Sequence, residues 1–449
     1  MKKKLVCLVL TIFFTFNLIN PVVLADSQIQ THTQSYSENQ VQTQVTSDVE
    51  VYAEACSLID IDSGKVLYEK NSNQVMYPAS TTKLMTAIIV LEKCPDLSQI
   101  VNISYYSVHS VPYTYSVASI QPGEKFSIKE LLTALMVASA NDAAYSLAEY
   151  VVNNGNNFSI DNSADTKNKF QESISKFSEL MNEKAKELGC TNTNFVNPNG
   201  VHNENHYSTA YDLSLIGKYA YKNETIMSLA KTMSFTLNNS NFYTGDIRSF
   251  SSTNLLLQKD KSGYYQYANG LKTGYTDAAQ SCIIASARKG ERNLIAVILH
   301  SDNTTNPDTS READCKRLFE YGFNNFSNTI LVKQSDIVRS FSILNGTKET
   351  RKLNVLCQTD LTALLKTGSP IDVTPQVRIN KYLAPIAKGE IIGTITYNID
   401  GISFSSNLIA EHDVYSTSYE FLLFILFGCF AIILFVFTLL NIKLNKKKE

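Results

Sequence analysis

No sign of charge dominates this 449-residue chain. Its 40 lysines and arginines stand against 42 aspartates and glutamates, so nothing in the balance favours a nucleic-acid partner. Also missing are a Cys-x-x-Cys pair, any cysteine–histidine spacing of the kind that holds zinc, and internal repeats. Of the eight cysteines, Cys7 and Cys429 fall in terminal apolar runs. Cys56, Cys94, Cys190, Cys282, Cys315 and Cys357 stand singly, mostly in apolar surroundings. They read as buried free thiols, with one bridge left open, since export permits disulfides and a large core does not need them. No metal and no cofactor are expected.

The ends carry more than the average. Lys2-Lys3-Lys4, an apolar run from Leu5 to about Ile19 and Val23-Leu24-Ala25 have the layout of a secretory signal peptide, residues 1–25. Near the other end, Phe421 to Leu440 is uncharged and almost wholly apolar. A helix of about 20 residues spans about 30 Å, the thickness of a bilayer's hydrocarbon core. Lys443 and Lys446-Lys447-Lys448 follow at once, which orients the tail to the cytoplasm. The expected localisation is the cell membrane, single-pass, with the bulk of the chain exported.

Between these ends the pattern divides. Residues 26–48 are rich in Gln, Ser and Thr and read as a flexible linker. Ala55–Asp60 and Val66–Glu69 form an expected hairpin. Leu84–Leu91, Ser127–Ala138 (opened by the capping box Ser127-Ile128-Lys129-Glu130), a run after Ser139 to about Val152, and Phe170–Leu188 read as helices. Residues 153–168 read as a polar loop. Cys282–Ala287 and Leu294–Leu299 form a second hairpin. From about Thr329 to Glu411, alternating apolar residues with turns at Asn345-Gly346, Lys388-Gly389 and Asp400-Gly401 predict a small all-β domain. The expected organisation is signal 1–25, linker 26–48, catalytic domain 49–326, β-rich domain 327–412, stem 413–418, transmembrane helix 419–442 and basic tail 443–449.

Three short strings carry the chemistry: Ser80-Thr81-Thr82-Lys83, Ser139-Ala140-Asn141 and Lys272-Thr273-Gly274. A serine hydroxyl needs an adjacent base to act as a nucleophile at neutral pH. Ser80 and Lys83 sit one helical turn apart, at a helix start where developing negative charge is favoured. Lys83 can be that base only if burial and nearby cations depress its pKa. Ser139 and Asn141 lie between two helical runs, either as a helix cap or pointing into a cleft. There Ser139 would relay a proton and Asn141 would bond the substrate's amide backbone. Lys272 and Thr273 can hold a substrate carboxylate, while Gly274 lets a strand approach the ligand. The backbone N–H groups of Ser80 and Tyr275 would form an oxyanion hole.

The same strings recur elsewhere. Ser-x-x-Lys appears at Ser173–Lys176, Ser228–Lys231 and Ser286–Lys289, Lys-Thr-Gly at Lys366–Gly368, and Ser-x-Asn at Ser37–Asn39 and Ser252–Asn254. Ser173–Lys176 lies in a polar helix and Ser286–Lys289 and Lys366–Gly368 run into turns; none of the recurrences is assigned a role. His202 and His206 read as loop structure, because no third metal ligand accompanies them.

Pro78-Ala79-Ser80-Thr81-Thr82-Lys83-Leu84-Met85-Thr86-Ala87, Ser139-Ala140-Asn141-Asp142-Ala143-Ala144, Asn197-Pro198-Asn199-Gly200, His206-Tyr207-Ser208-Thr209-Ala210 and Gly270-Leu271-Lys272-Thr273-Gly274-Tyr275-Thr276 resemble the serine-type D-alanyl-D-alanine carboxypeptidases, low-molecular-mass penicillin-binding proteins. The resemblance spans about residues 50–412. It implies an α/β (α+β) catalytic domain of the penicillin-binding-protein and β-lactamase type, an antiparallel sheet flanked by helices, then a β-rich domain and a membrane attachment. It also implies release of the terminal D-alanine from peptidoglycan stem peptides through a Ser80 acyl-enzyme, and covalent binding of β-lactams at the same serine. Gln280 and Val201 depart from the family's common Gly and Leu, and neither touches the proposed chemistry. A β-lactamase shares these motifs, but no Glu-x-x-Leu-Asn string to position deacylating water occurs. A D,D-endopeptidase and an inert wall-binding protein are the other readings.

Overall fold

The computed structural model describes residues 49–155, 159–237, 248–302, 307–369, 373–417 and 419–445. The expected signal peptide and linker therefore lie outside the described residues. So do the last four residues of the basic tail.

Strand-forming sequence from both ends of the first domain meets in one antiparallel sheet. Its spatial order is Val66–Lys70, Ala55–Asp60, Arg292–Ser301, Gln280–Lys289 and Ala268–Thr276, which places Ala268–Thr276 on an edge. The two long central strands are buried at nearly every position, because each face of the sheet is covered and alternate side chains enter different cores. Cys282, Ile284, Ile295, Val297 and Leu299 pack with Leu84, Met85, Leu131, Leu147, Phe177 and Leu213 from the helices on one side. Ile283, Ala285, Leu294, Ala296 and Ile298 pack with Cys315, Leu318 and Phe319 on the other. Those three residues belong to the helix Arg311–Asn325.

The large helical layer consists of Lys83–Lys93, Ile128–Val137, Asn141–Asn153, Ala164–Glu187 and Ala210–Tyr221, among shorter pieces. The capping box at Ser127 forms in full, with Ser127 accepting from the Glu130 amide and Glu130 reaching back. The fourth helix begins at Ala164, six residues before the start read from the sequence. Its first turns are polar and exposed, so hydrophobic periodicity gave no signal there. Ser163, whose hydroxyl accepts from the Thr166 amide, is the cap that marks the true start.

Between Asn325 and Tyr419 the described regular elements are all β-strands. A two-stranded ladder pairs Phe326–Val332 with Leu361–Lys366. A five-stranded antiparallel sheet runs in the order Ile337–Ser342, Lys352–Cys357, Ile402–Ala410, Ile391–Ile399 and Gln376–Ile379. Leu353, Val355, Cys357, Ile392, Ile395 and Leu408 fill its core. Lys65, in the first hairpin, donates to the Leu364 carbonyl and pairs with Asp400, so it joins the two parts. The cysteines at 56, 94, 190, 282, 315 and 357 are free and buried.

A last helix runs from Tyr419 to Asn445. Its side chains are described without interruption only over residues 425–440, where Phe427, Phe430, Ile433 and Phe437 are exposed. Among the described residues no helix is long and apolar enough to cross a membrane.

Candidate active site

The nucleophile candidate sits on a tight turn. Ala79–Thr82 form a single 3-10 turn that runs directly into the helix Lys83–Lys93, so Ser80 lies just before the α-helix and not on its first residue. Ala79 has φ +47°, and the turn is wedged between two close neighbours. One is Gly274 on the edge strand, where a Cβ would stand 2.9 Å from the Ser80 amide nitrogen and 3.0 Å from that of Thr81. The other is Gly200, where a Cβ would lie only 1.9 Å from the Ala79 carbonyl oxygen. Backbone approaches this near admit glycine alone.

Lys83 is fully buried. Its ammonium-bearing end meets three oxygens: the Ser80 hydroxyl at 2.9 Å, the Asn141 side-chain carbonyl at 2.9 Å and the Asn199 backbone carbonyl at 2.6 Å. Burial, and then the neighbouring charge of Lys272, push its pKa well below that of an ordinary lysine; Asp142 opposes them. Lys83 is therefore a buried amine in hydrogen-bond contact with a serine hydroxyl, the arrangement that general-base activation needs.

Ser139 is buried at φ +57°, and among the described residues its hydroxyl makes no hydrogen bond to Ser80 or Lys83. Asn141, the first residue of the helix Asn141–Asn153, has an engaged amide: its oxygen accepts from Lys83 and its nitrogen donates to the Ser116 carbonyl at 2.7 Å. One N–H and one lone pair stay available for a substrate. Asp142, beside it, accepts from the amides of Ala118 and Ile120. Burial raises its pKa above the ordinary carboxylate value. The segment 116–124 is held from its far side by Arg248, which donates to both carboxylate oxygens of the buried Glu124 and to the Ser119 carbonyl.

On the edge strand, Lys272 is buried and its amine donates to the Thr273 carbonyl at 2.9 Å. Burial, followed by the Arg311 charge, lowers its pKa to about 7. The Thr273 hydroxyl meets that of Thr253 at 2.5 Å. Tyr275 is exposed and bonds Asp277.

Four participants escaped the sequence reading. The Asn199 carbonyl anchors Lys83, yet a backbone oxygen has no residue identity to detect; the quoted string Asn197-Pro198-Asn199-Gly200 was the only pointer. Arg311 lies under the edge strand, donating to the carbonyls of Gly274 and Cys282, and nothing in its local sequence marks it. Asp142 stood unremarked within the second string. Thr253 lies inside Ser252–Asn254, a recurrence of Ser-x-Asn that had been set aside.

Two of the other recurrences have ordinary partners, and Ser37–Asn39 lies outside the described residues. The Ser173 hydroxyl donates to the Lys169 carbonyl and Lys176 pairs with Glu172. Ser286 bonds Asn269, and Lys289 lies over the Tyr267 ring. His206 is buried with both ring nitrogens committed: Nδ1 accepts from the Val196 amide, so Nε2 donates to Thr82. Burial first, then the charges of Lys83 and His202, depress its pKa to about 3 and keep it neutral. Among the described residues no three His, Cys, Asp or Glu side chains gather as a metal site.

Comparison with known proteins bears on this geometry directly. The D-alanyl-D-alanine carboxypeptidase profile of the peptidase S11 type matches residues 40–303. The chain belongs to that family. The profile of the C-terminal domain of penicillin-binding protein 5 matches residues 326–417. D-alanyl-D-alanine carboxypeptidase DacF of Bacillus subtilis is 30% identical over 374 residues, covering 82% of this chain and 87% of that protein. The DacA enzyme of Escherichia coli K12 is 27% identical over 371 residues, covering 80% and 83%. Among solved structures, penicillin-binding protein 5 of Haemophilus influenzae shares 26% identity at a TM-score of 0.60, covering 83% of this chain and 100% of that one. The Streptomyces K15 DD-transpeptidase shares 31% at 0.53, covering 62% and 100%. As in the family, an α/β catalytic domain is followed here by a C-terminal β domain.

Proposed function

We propose that this chain is a serine-type D-alanyl-D-alanine carboxypeptidase that trims peptidoglycan stem peptides, and that Ser80 is its nucleophile. Ser80 Oγ attacks the carbonyl carbon of the penultimate D-alanine as Lys83 takes the hydroxyl proton. The peptide bond breaks as Ser139 relays the proton from Lys83 to the departing D-alanine amine, and water then hydrolyses the Ser80 ester. Asn141 holds Lys83 and offers its remaining N–H to the substrate backbone. Lys272 and Thr273 take the terminal carboxylate, and the amides of Ser80 and Tyr275 take the oxyanion while Gly274 keeps strand and turn in contact. β-Lactams acylate the same serine and leave slowly. No cofactor enters.

The observation that carries this reading is the 2.9 Å contact between a buried, pKa-depressed Lys83 and the Ser80 hydroxyl. The match of both family profiles supports it. Labelling with a fluorescent penicillin tests it: wild type should label covalently and Ser80→Ala should not.

The rest of the proposal is architectural. The chain is divided into a catalytic domain at 49–326 and a β-rich domain at 327–412, with a stem at 413–418. It is exported by its residues 1–25, then held in the cell membrane by residues 419–442, with the tail 443–449 inside. The apolar run Phe421–Leu440 and the lysines after it support the tether.

A further inference from the structure

The string Ser252-Thr253-Asn254 comes back to the site from the far side of the edge strand. Ser252 and Asn254 are buried and pinned. The Ser252 amide donates to the Met233 carbonyl, Gln258 donates to the Ser252 carbonyl, and Asn254 accepts from the Leu256 amide. Thr253, between them, is exposed. Its hydroxyl stands 2.5 Å from that of Thr273, itself 4% exposed. Among the described residues Thr253 is the one side-chain partner of the Thr273 hydroxyl.

A hydroxyl has one proton to give and two lone pairs to accept with. A carboxylate only accepts, so Thr273 must give its proton to a bound carboxylate. Its contact with Thr253 can then persist only with Thr253 as donor. The ligand thereby fixes the direction of the pair: Thr253 O–H to Thr273 O, and Thr273 O–H to the carboxylate. Such chains strengthen one another, and the two pinned neighbours keep Thr253 from swinging away.

We propose that Thr253 is a positioning residue for substrate recognition, orienting the Thr273 hydroxyl toward the free carboxylate of the substrate's last residue. The inference rests on the carboxylate role assigned above to Thr273. Thr253 touches no reacting atom and acts through its neighbour. It therefore adds to discrimination between an acid and a neutral C-terminus, not to the chemical step.

The test is the ratio of kcat/KM for a peptide ending in D-Ala-D-Ala carboxylate to that for its C-terminal carboxamide, measured on the full chain. Thr253→Val should lower this ratio about fivefold, the usual worth of one neutral hydrogen bond, through KM with kcat little changed. Thr253→Ser should restore it. A merely structural role for Thr253 would weaken both substrates alike and leave the ratio intact. Thr273→Val separates the two failures. If Thr273→Val lowers the ratio and Thr253→Val does not, the positioning role is wrong and the Thr273 assignment stands. If Thr273→Val leaves the ratio unchanged, the carboxylate assignment itself falls and takes this inference with it.

Discussion

The side-chain nitrogen of Lys83 lies 2.9 Å from the Ser80 hydroxyl, with no part of the lysine exposed to solvent. Three residues of separation along one helical turn explain the contact. Its chemistry comes from farther away: the Asn199 carbonyl and the Asn141 amide oxygen hold the lysine in place, and Lys272 adds a like charge.

Lys83→Ala should cut the rate of acylation about 10²–10⁴-fold, the range a positioned general base contributes. In wild type the rising limb of the kcat/KM–pH profile should fall well below pH 10.5, because burial favours the neutral amine. Stopped-flow acylation by a chromogenic β-lactam across pH checks both. A loss under tenfold would name another base.

Gly274→Ala should leave the protein folded but slow it about 10²-fold. The new methyl would press on the Ser80 and Thr81 amides, each about 3 Å away, and a displacement of about 1 Å at a reacting group has that effect. Circular dichroism with steady-state kinetics separates the two readouts.

Lys272→Met should stabilise the protein at neutral pH while weakening substrate binding. The folded pKa of Lys272 is lowered from 10.5 to about 7, so between those values the unfolded chain binds the extra proton and stability rises with pH. The lysine's unfavourable contribution is fully present below about pH 7 and fades as pH climbs toward 10.5. Denaturant midpoints of wild type and variant should accordingly differ most below pH 7 and converge at high pH. An equal gap at both ends would contradict the assignment.

Deleting residues 419–449 should release an active, soluble protein, while the full chain should pellet with membranes and resist a carbonate wash. Fractionation followed by penicillin labelling reads both. A full chain that stays in the soluble fraction would remove the tether.

Much of the site was legible because its residues obey local rules. Ser80 and Lys83 lie one turn apart, and the Ser127 capping box announces a helix. The apolar runs Cys282–Ala287 and Leu294–Leu299 also exposed the second hairpin. What stayed hidden depends on long-range contact. Asn199 meets Lys83 through a carbonyl 116 positions away, and Arg311 reaches Gly274 across 37. Thr253 lies in a Ser-x-Asn recurrence to which the sequence assigns no role. Its partner is fixed only when the strand Ala268–Thr276 takes the edge of the sheet.

The most direct measurement is D-alanine release from a peptide ending in D-Ala-D-Ala by the full chain, alongside Ser80→Ala. The account predicts release by wild type and none above background by the variant. Release that survives in Ser80→Ala, or a wild-type protein that labels with penicillin yet frees no D-alanine, would contradict it.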